Sequence, residues 1–263
     1  MWLGGKMSIS EKKTFLNKVV LITGASSGIG LATAKAFAAE GATLMLAARD
    51  PSQLIEAALV CRGLGVRCEA VPTDIQNYSQ VKTLIEKTIK LFGSIDVLVN
   101  NAGVGTLGLF HQQKWDEINQ TLLTNQQGTL AVTHAALPHM IAQASGTIVN
   151  VSSVIGKRAI PGLAAYCATK FALWGFSDSL RLELQPYGIQ VCHFCPTTTD
   201  TEFQRKAGIK ISGRADSAEK VAQALMNAVR QKKAEYIMSF TERILIKALL
   251  IAPGFVRKFY EKK

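Results

Sequence analysis

The sequence predicts an α/β fold: a doubly wound, mostly parallel seven-stranded sheet in a single domain with a C-terminal helical extension. Three observations point there. Short apolar runs rich in β-branched residues alternate with segments of helical period along most of the chain. A glycine cluster stands between the first such run and the first helix. No Pro/Gly/Ser-rich linker and no internal repeat divides the 263 residues, a length that suits one large domain.

The elements follow in order. Val19 to Ile22 is an apolar strand, and the helical stretch Leu31 to Glu40 beyond the glycines ends at Gly41. Thr43 to Ala47 reads as a second strand. Asp50-Pro51 is an N-cap followed by proline at the first helical position, opening a helix to about Arg62. Val66 to Val71 is a third strand. Ser79 to Phe92 carries Val81, Leu84, Ile85 and Ile89 at helical spacing and stops at Gly93. Ile95 to Val99 and Thr147 to Val151 are strands four and five, with a long helical region from about Lys114 to Ala142 between them. A helix from Ala164 to Gln185, a strand from Ile189 to Phe194, a helix from Ser217 to Arg230 and a strand around Tyr236 to Ser239 complete the domain. Strands apolar along their whole length belong to parallel sheets covered on both faces. Their ligands bind beyond the carboxyl ends of the strands, so residues just after each strand matter most. The chain divides into an extension over 1–16, the domain over 17–240 and a basic amphipathic tail over 241–263.

Composition narrows the function classes. Hydrophobic residues make up 48% and charged residues 19%, which excludes a disordered or fibrous chain. No uninterrupted apolar run approaches the roughly 18 residues of a spanning helix, and Met1 to Leu16 lacks the apolar stretch of a signal peptide. The expected location is cytoplasmic, with a peripheral membrane position as a variant. Five dispersed cysteines read as reduced thiols. Cys192-His193-Phe194-Cys195 lies in a strand and has no second ligand pair at matching spacing, so no metal site is expected. The net charge of +11 invites a nucleic-acid reading, but no helix-turn-helix or RNA-binding pattern accompanies it.

Directly after the first strand comes Thr23-Gly24-Ala25-Ser26-Ser27-Gly28-Ile29-Gly30. Glycines allow a tight turn and close approach to a pyrophosphate, and the helix N-terminus beyond offers free N–H groups and a positive dipole end. The spacing is G-x-x-x-G-x-G. At the end of the second strand, Arg49 is placed to accept a ribose 2′-phosphate, while Asp50 is used as a helix cap. The cofactor expected is therefore NADP in preference to NAD.

Tyr166 and Lys170 are four apart in a helix and share one face. An ammonium about 4 Å from the phenol would favour the phenolate by up to ~4 kcal/mol at an effective dielectric of 20, roughly three pK units. Burial opposes that shift. Ser153 ends the fifth strand, thirteen residues before Tyr166.

With Thr23 to Gly30, Asn100-Asn101-Ala102-Gly103 after the fourth strand, Ser153, and Tyr166 with Lys170 in order, the sequence resembles the short-chain dehydrogenase/reductase family over about residues 17 to 200. The resemblance implies a Rossmann-type fold and an NAD(P)-dependent oxidoreductase acting on a carbonyl/alcohol pair. Tyr166 then donates or accepts the substrate proton, Lys170 holds the nicotinamide ribose and lowers the phenol's pKa, and Ser153 hydrogen-bonds the substrate oxygen. Asn125 supports a proton relay through water. Asn101, Ala102 and Gly103 line the adenine side, with Asp74 and Ile75 near the adenine ring. Ser26, Ser27 and Ile29 complete the phosphate turn.

Two departures stand out. Where the family has Pro-Gly after the sixth strand, this chain has Pro196-Thr197, so the loop is expected to take a different path. Thr201 is the residue expected to meet the nicotinamide amide. Glu202 to Ala215 would form a lid whose Arg205, Lys206, Lys210 and Arg214 read better as a solvated face than as an anion site. The second departure is the tail from Ile244 onward, apolar and basic, which fits packing on its own domain or on a subunit of a homodimer or homotetramer, and also fits an interfacial membrane helix. Leu107, Leu109, Phe110, Ile155, Ala159, Leu163 and Phe203 are candidates for an apolar substrate pocket. The competing reading is a dinucleotide-binding regulatory or membrane-surface protein without turnover, and the Ser–Tyr–Lys set argues against it.

Overall fold

The computed structural model describes residues 14–208 and 215–251. Seven strands form one parallel sheet: β1 (Val19–Thr23), β2 (Thr43–Ala48), β3 (Cys68–Pro72), β4 (Val97–Asn100), β5 (Gly146–Val151), β6 (Ile189–Cys195) and β7 (Glu235–Ile237). Their order is β3-β2-β1-β4-β5-β6-β7, and every pairing is parallel. The chain winds outward from β1 to β3, then crosses back to lay β4 beside β1. The crossovers on either side of that pair run to opposite edges, so a crevice opens between the carboxyl ends of β1 and β4.

The helices are α1 (Gly28–Ala39), α2 (Pro51–Gly63), α3 (Tyr78–Phe92), α4 (Trp115–Leu122), α5 (Thr129–Ala142), α6 (Ala164–Leu184), α7 (Glu202–Lys206), α8 (Ala218–Arg230) and α9 (Phe240–Ile251). One sheet face carries α1, α2 and α8 through Phe37, Leu54 and Leu225. The other carries α3, α5 and α6 through Leu84, Val132 and Leu180. β1 is buried at all five positions, which is why it is apolar throughout rather than alternating. Phe15, ahead of β1, is itself buried and meets Phe37 edge-on at 4.8 Å.

Local chemistry sets the element ends. The Asp50 carboxylate accepts from Gln53 N at 3.0 Å with Pro51 behind it, opening α2. Asn77 caps α3 at Ser79 N and Gln80 N, and Gly93 closes that helix at φ +83°. The long helical region expected over 114–142 divides into α4 and α5, joined without a break by a π-turn over Leu123–Gly128. The loop after Pro196 keeps Thr197 out of the positive-φ region. Thr197 Oγ1 donates to the Asp216 carboxylate at 2.6 Å, and Thr199 forms a short parallel bridge with Asp216. Lys210 and Arg214 lie outside the described residues.

Candidate active site

The glycine turn sits at the crevice. Gly24 and Gly28 both have positive φ, at +63° and +52°, a region that L side chains avoid. Gly30 is needed for another reason: a Cβ there would lie 2.1 Å from the Gly24 carbonyl oxygen. Ser27 is the N-cap of α1, yet its hydroxyl does not cap, and no acidic residue stands in the first turn. The α2, α3 and α8 N-termini are capped by Asp50, Asn77 and Ser217. The α1 terminus therefore keeps its N–H groups and dipole for an anion. Ser26 and Ile29 flank the turn half-buried.

The segment after β4 clamps this turn. Thr23 Oγ1 accepts from Asn101 N and Ala102 N at 3.0 and 3.1 Å. The Asn101 amide donates back to Thr23 O and Gly24 O. Asn101 was expected on the adenine side; its side chain also holds the glycine turn in shape. Gly103 faces Asn125, where a Cβ would come 3.3 Å from Oδ1.

Asn125 sits in the π-turn, buried, with Oδ1 accepting from Val104 N at 2.8 Å and Nδ2 donating to Val104 O at 2.7 Å and to Thr169 Oγ1 at 3.3 Å. Its side chain is committed to the loop after β4 and to α6. π-turns inserted in a helix alter its hydrogen-bond ladder and concentrate at functional sites. Gly128 ends the turn against Ile75, whose Cγ1 lies 2.6 Å from where a Cβ would stand. Asp74 is half-buried; its carboxylate accepts from Gln76 N and its amide donates to Gln80 Oε1. Arg49 is exposed at the end of β2 and makes no hydrogen bond or ion pair among the described residues.

Beyond β5, Ser153 begins a short 3-10 turn over Val154–Gly156 and accepts from Ile155 N at 3.3 Å. Ser152, its neighbour, is buried with an unpartnered hydroxyl. Gly156 packs this turn against α6, since a Cβ would strike the Trp174 ring at 2.3 Å. Tyr166 and Lys170 lie in α6, both buried. The Lys170 ammonium donates to Val151 O at 3.0 Å, two residues before Ser153, and lies 5.5 Å from the centre of the Tyr166 ring. Burial pulls the Lys170 pKa down to about 8 and pushes the Tyr166 phenol well above its usual value. The expected lowering of the phenol by its lysine is thus outweighed by desolvation in the protein alone.

Around Tyr166 stand Leu163, Cys167, Ile155, Ile160 and Phe203. Thr201 is buried at the N-cap of α7; its methyl lies 3.3 Å from where a Gly28 Cβ would be, and its hydroxyl donates to Gln204 Oε1. The loop after β6, begun by half-buried Pro196, therefore meets the phosphate turn directly.

Sequence reasoning missed a buried polar row behind the site. Asn100 Nδ2 donates to Asn150 Oδ1, Asn150 Nδ2 donates to Ser177 Oγ, and Ser177 Oγ lies 3.3 Å from His193 Nδ1. Asn100, Asn150 and His193 are register partners across β4, β5 and β6. Polar residues interrupting apolar strands were the available signal.

A family model for short chain dehydrogenases matches residues 18–212. The chain is 32% identical to ketoacyl reductase HetN of Nostoc sp., over 94% of this chain and 89% of that protein. It is 34% identical to the 3-oxoacyl acyl-carrier-protein reductase FabG of Thermotoga maritima, over 80% and 89%. Human 17-beta-hydroxysteroid dehydrogenase 13 is 32% identical, over 88% and 78%. Among solved structures, levodione reductase superposes with a TM-score of 0.78 at 27% identity, covering 85% of this chain and 96% of that one.

Proposed function

This chain belongs to the short-chain dehydrogenase/reductase family, NAD(P)-dependent oxidoreductases of CH–OH and C=O groups, and we propose that it is an NADP-preferring carbonyl reductase with Tyr166 as its general acid. The observation that carries this reading is the buried Tyr166–Lys170 pair, its lysine anchored on Val151 O near Ser153 and its phenol ring against Gly105 of the loop after β4.

The residues fit a dinucleotide. Gly24 and Gly28 give the turn its positive-φ path, and the uncapped α1 terminus with Ser26, Ser27 and Gly30 receives the pyrophosphate. Asp74, Ile75 and the Asn101–Gly103 segment flank the adenine side. Arg49, unpaired among the described residues, takes the 2′-phosphate, and Thr201 with Pro196 closes over the nicotinamide end. When bound, the nicotinamide supplies or accepts the hydride.

The protein's own residues handle the proton. Ser153 donates a hydrogen bond to the substrate oxygen and so stabilises charge that develops there. Tyr166 gives its hydroxyl proton to that oxygen during reduction. Burial keeps the phenol protonated at neutral pH, the form reduction needs. Lys170 then favours the phenolate left behind, and Asn125 supports a relay through water that resupplies the proton. Around this centre, a homo-oligomer and an anionic membrane surface are the partners proposed, the latter met by the outward face of α9, where Phe240, Ile244 and Ile251 are exposed beside Arg243 and Lys247.

One experiment addresses cofactor and mechanism together. NADPH and NADH are titrated against wild type, Tyr166→Phe and Arg49→Ala, followed by turnover with a carbonyl panel. Tyr166→Phe is expected to keep nucleotide affinity and lose at least about 100-fold in kcat. Arg49→Ala is expected to weaken NADPH about tenfold and leave NADH alone. Equal turnover by wild type and Tyr166→Phe overturns the mechanism; equal weakening of both dinucleotides overturns the NADP assignment.

A further inference from the structure

Resting on that reading, we infer that the substrate is a neutral carbonyl compound with an extended hydrocarbon body, bound along an apolar wall that runs from Tyr166 out to Leu107, Leu109 and Phe110. Three observations lead there. First, the shell around Tyr166 is hydrocarbon: Leu163 and Cys167 are buried with it, and Ile155, Ile160 and Phe203 pack on them. The Phe203 ring lies 5.7 Å from the Tyr166 ring, and Gly105 fits between the two, where a Cβ would come within 3.1 Å of Tyr166 and 3.2 Å of Phe203.

Second, the wall continues to the surface. The loop after β4 is fastened on both sides by main-chain bonds: Leu107 N donates to Ala207 O just past α7, and Gly108 N donates to Gly162 O just ahead of α6. Leu107 touches the space beside Gly162, where a Cβ would meet its Cδ1 at 3.2 Å. Leu107, Leu109 and Phe110 are 48%, 50% and 55% exposed. Several large apolar side chains left exposed on one short loop suit a binding surface.

Third, the cations of the adjoining loop are turned elsewhere. The Lys157 ammonium lies 4.5 Å over the Trp174 ring, and Arg158 pairs with Glu242 of α9 at 3.3 Å. Arg205 on α7 faces Asp200 at 3.8 Å. Among the described residues, a charged substrate would lose its water against the hydrocarbon shell around Tyr166, whereas each methylene removed from water is favourable.

The test uses the full chain with NADPH and methyl ketones of increasing length, butan-2-one to decan-2-one, alongside ω-carboxylate ketones of matched length. kcat/KM is expected to rise with each methylene, by up to about fourfold, and to favour the methyl-ended member of each matched pair by at least about tenfold. Leu109→Asp and Phe110→Asp are expected to shrink the ratio of the longest to the shortest ketone several-fold. Rates independent of length, or faster with the carboxylate-ended ketones, overturn this inference and leave the oxidoreductase reading standing. No turnover anywhere in the panel, with either dinucleotide, overturns both.

Discussion

His193 shows what a single buried residue does to the whole protein's response to acid. It is almost fully enclosed, with its ring tilted against Trp174 at 3.9 Å between centres, Nδ1 facing Ser177 Oγ and Nε2 without a partner among the described residues. Burial, then the charges of Lys170, Arg181 and Lys157, holds its pKa down to about 2. The unfolded chain binds a proton near pH 6.5 that the folded chain refuses, so stability is fully present above that pH and falls as pH drops below it. Between pH 7.5 and 5 this amounts to about 2 kcal/mol. In urea titrations at those two pH values, His193→Leu is expected to lose less stability on acidification than wild type. Identical pH dependence would refute the assignment. The strand order of polar and apolar residues already argued against the Cys192–Cys195 stretch as a metal site: Cys192 belongs to the α1–α8 face, while His193 and Cys195 face α6 and α9. What the sequence could not reveal is that Asn100, Asn150 and His193, far apart in the chain, fall in one row. That follows from strand register, which emerges only when the sheet forms.

At the level of elements, the glycine turn between β1 and α1 was legible because positive φ and close packing leave few other residues possible. Gly30→Ala drives a methyl into the Gly24 carbonyl, and is expected to destabilise the domain by about 1–3 kcal/mol and to abolish measurable NADPH binding. Gly63, in the last turn of α2 with nothing near its absent side chain, provides the contrast: Gly63→Ala should be neutral or slightly stabilising. Melting curves and nucleotide titration of both variants settle the matter, and equal behaviour of the two would remove the packing argument. The helix ends at Asp50 and Gly93 were equally readable. The π-turn was not, since Leu122 to Thr129 holds no glycine–proline break strong enough to interrupt a helical reading, and one extra residue per turn leaves no periodic trace in so short a stretch. Asn101 was found for its motif, but its bonds to two backbone carbonyls were not foreseen, because such a contact is a tertiary event.

For the whole molecule, the sheet's two faces make two separate cores, and α9 adds a third, small contact in which Ile246 meets Trp174, Cys195 and Ile237. That docking uses one side of α9 and leaves Phe240 and Ile244 66% and 54% exposed on the other. With a net charge of +11, this side suits an anionic bilayer. The full chain is expected to co-sediment with vesicles containing phosphatidylserine, and the double variant Phe240→Ser, Ile244→Ser to bind at least about tenfold more weakly. Equal sedimentation would remove the membrane from this account. A different consequence attaches to the two main-chain bonds that fasten the loop after β4, one to Ala207 and one to Gly162. Because amides and carbonyls make them, neither bond requires a particular side chain at 107 or 109. Replacing those side chains changes the apolar surface the loop presents while both bonds stay in place.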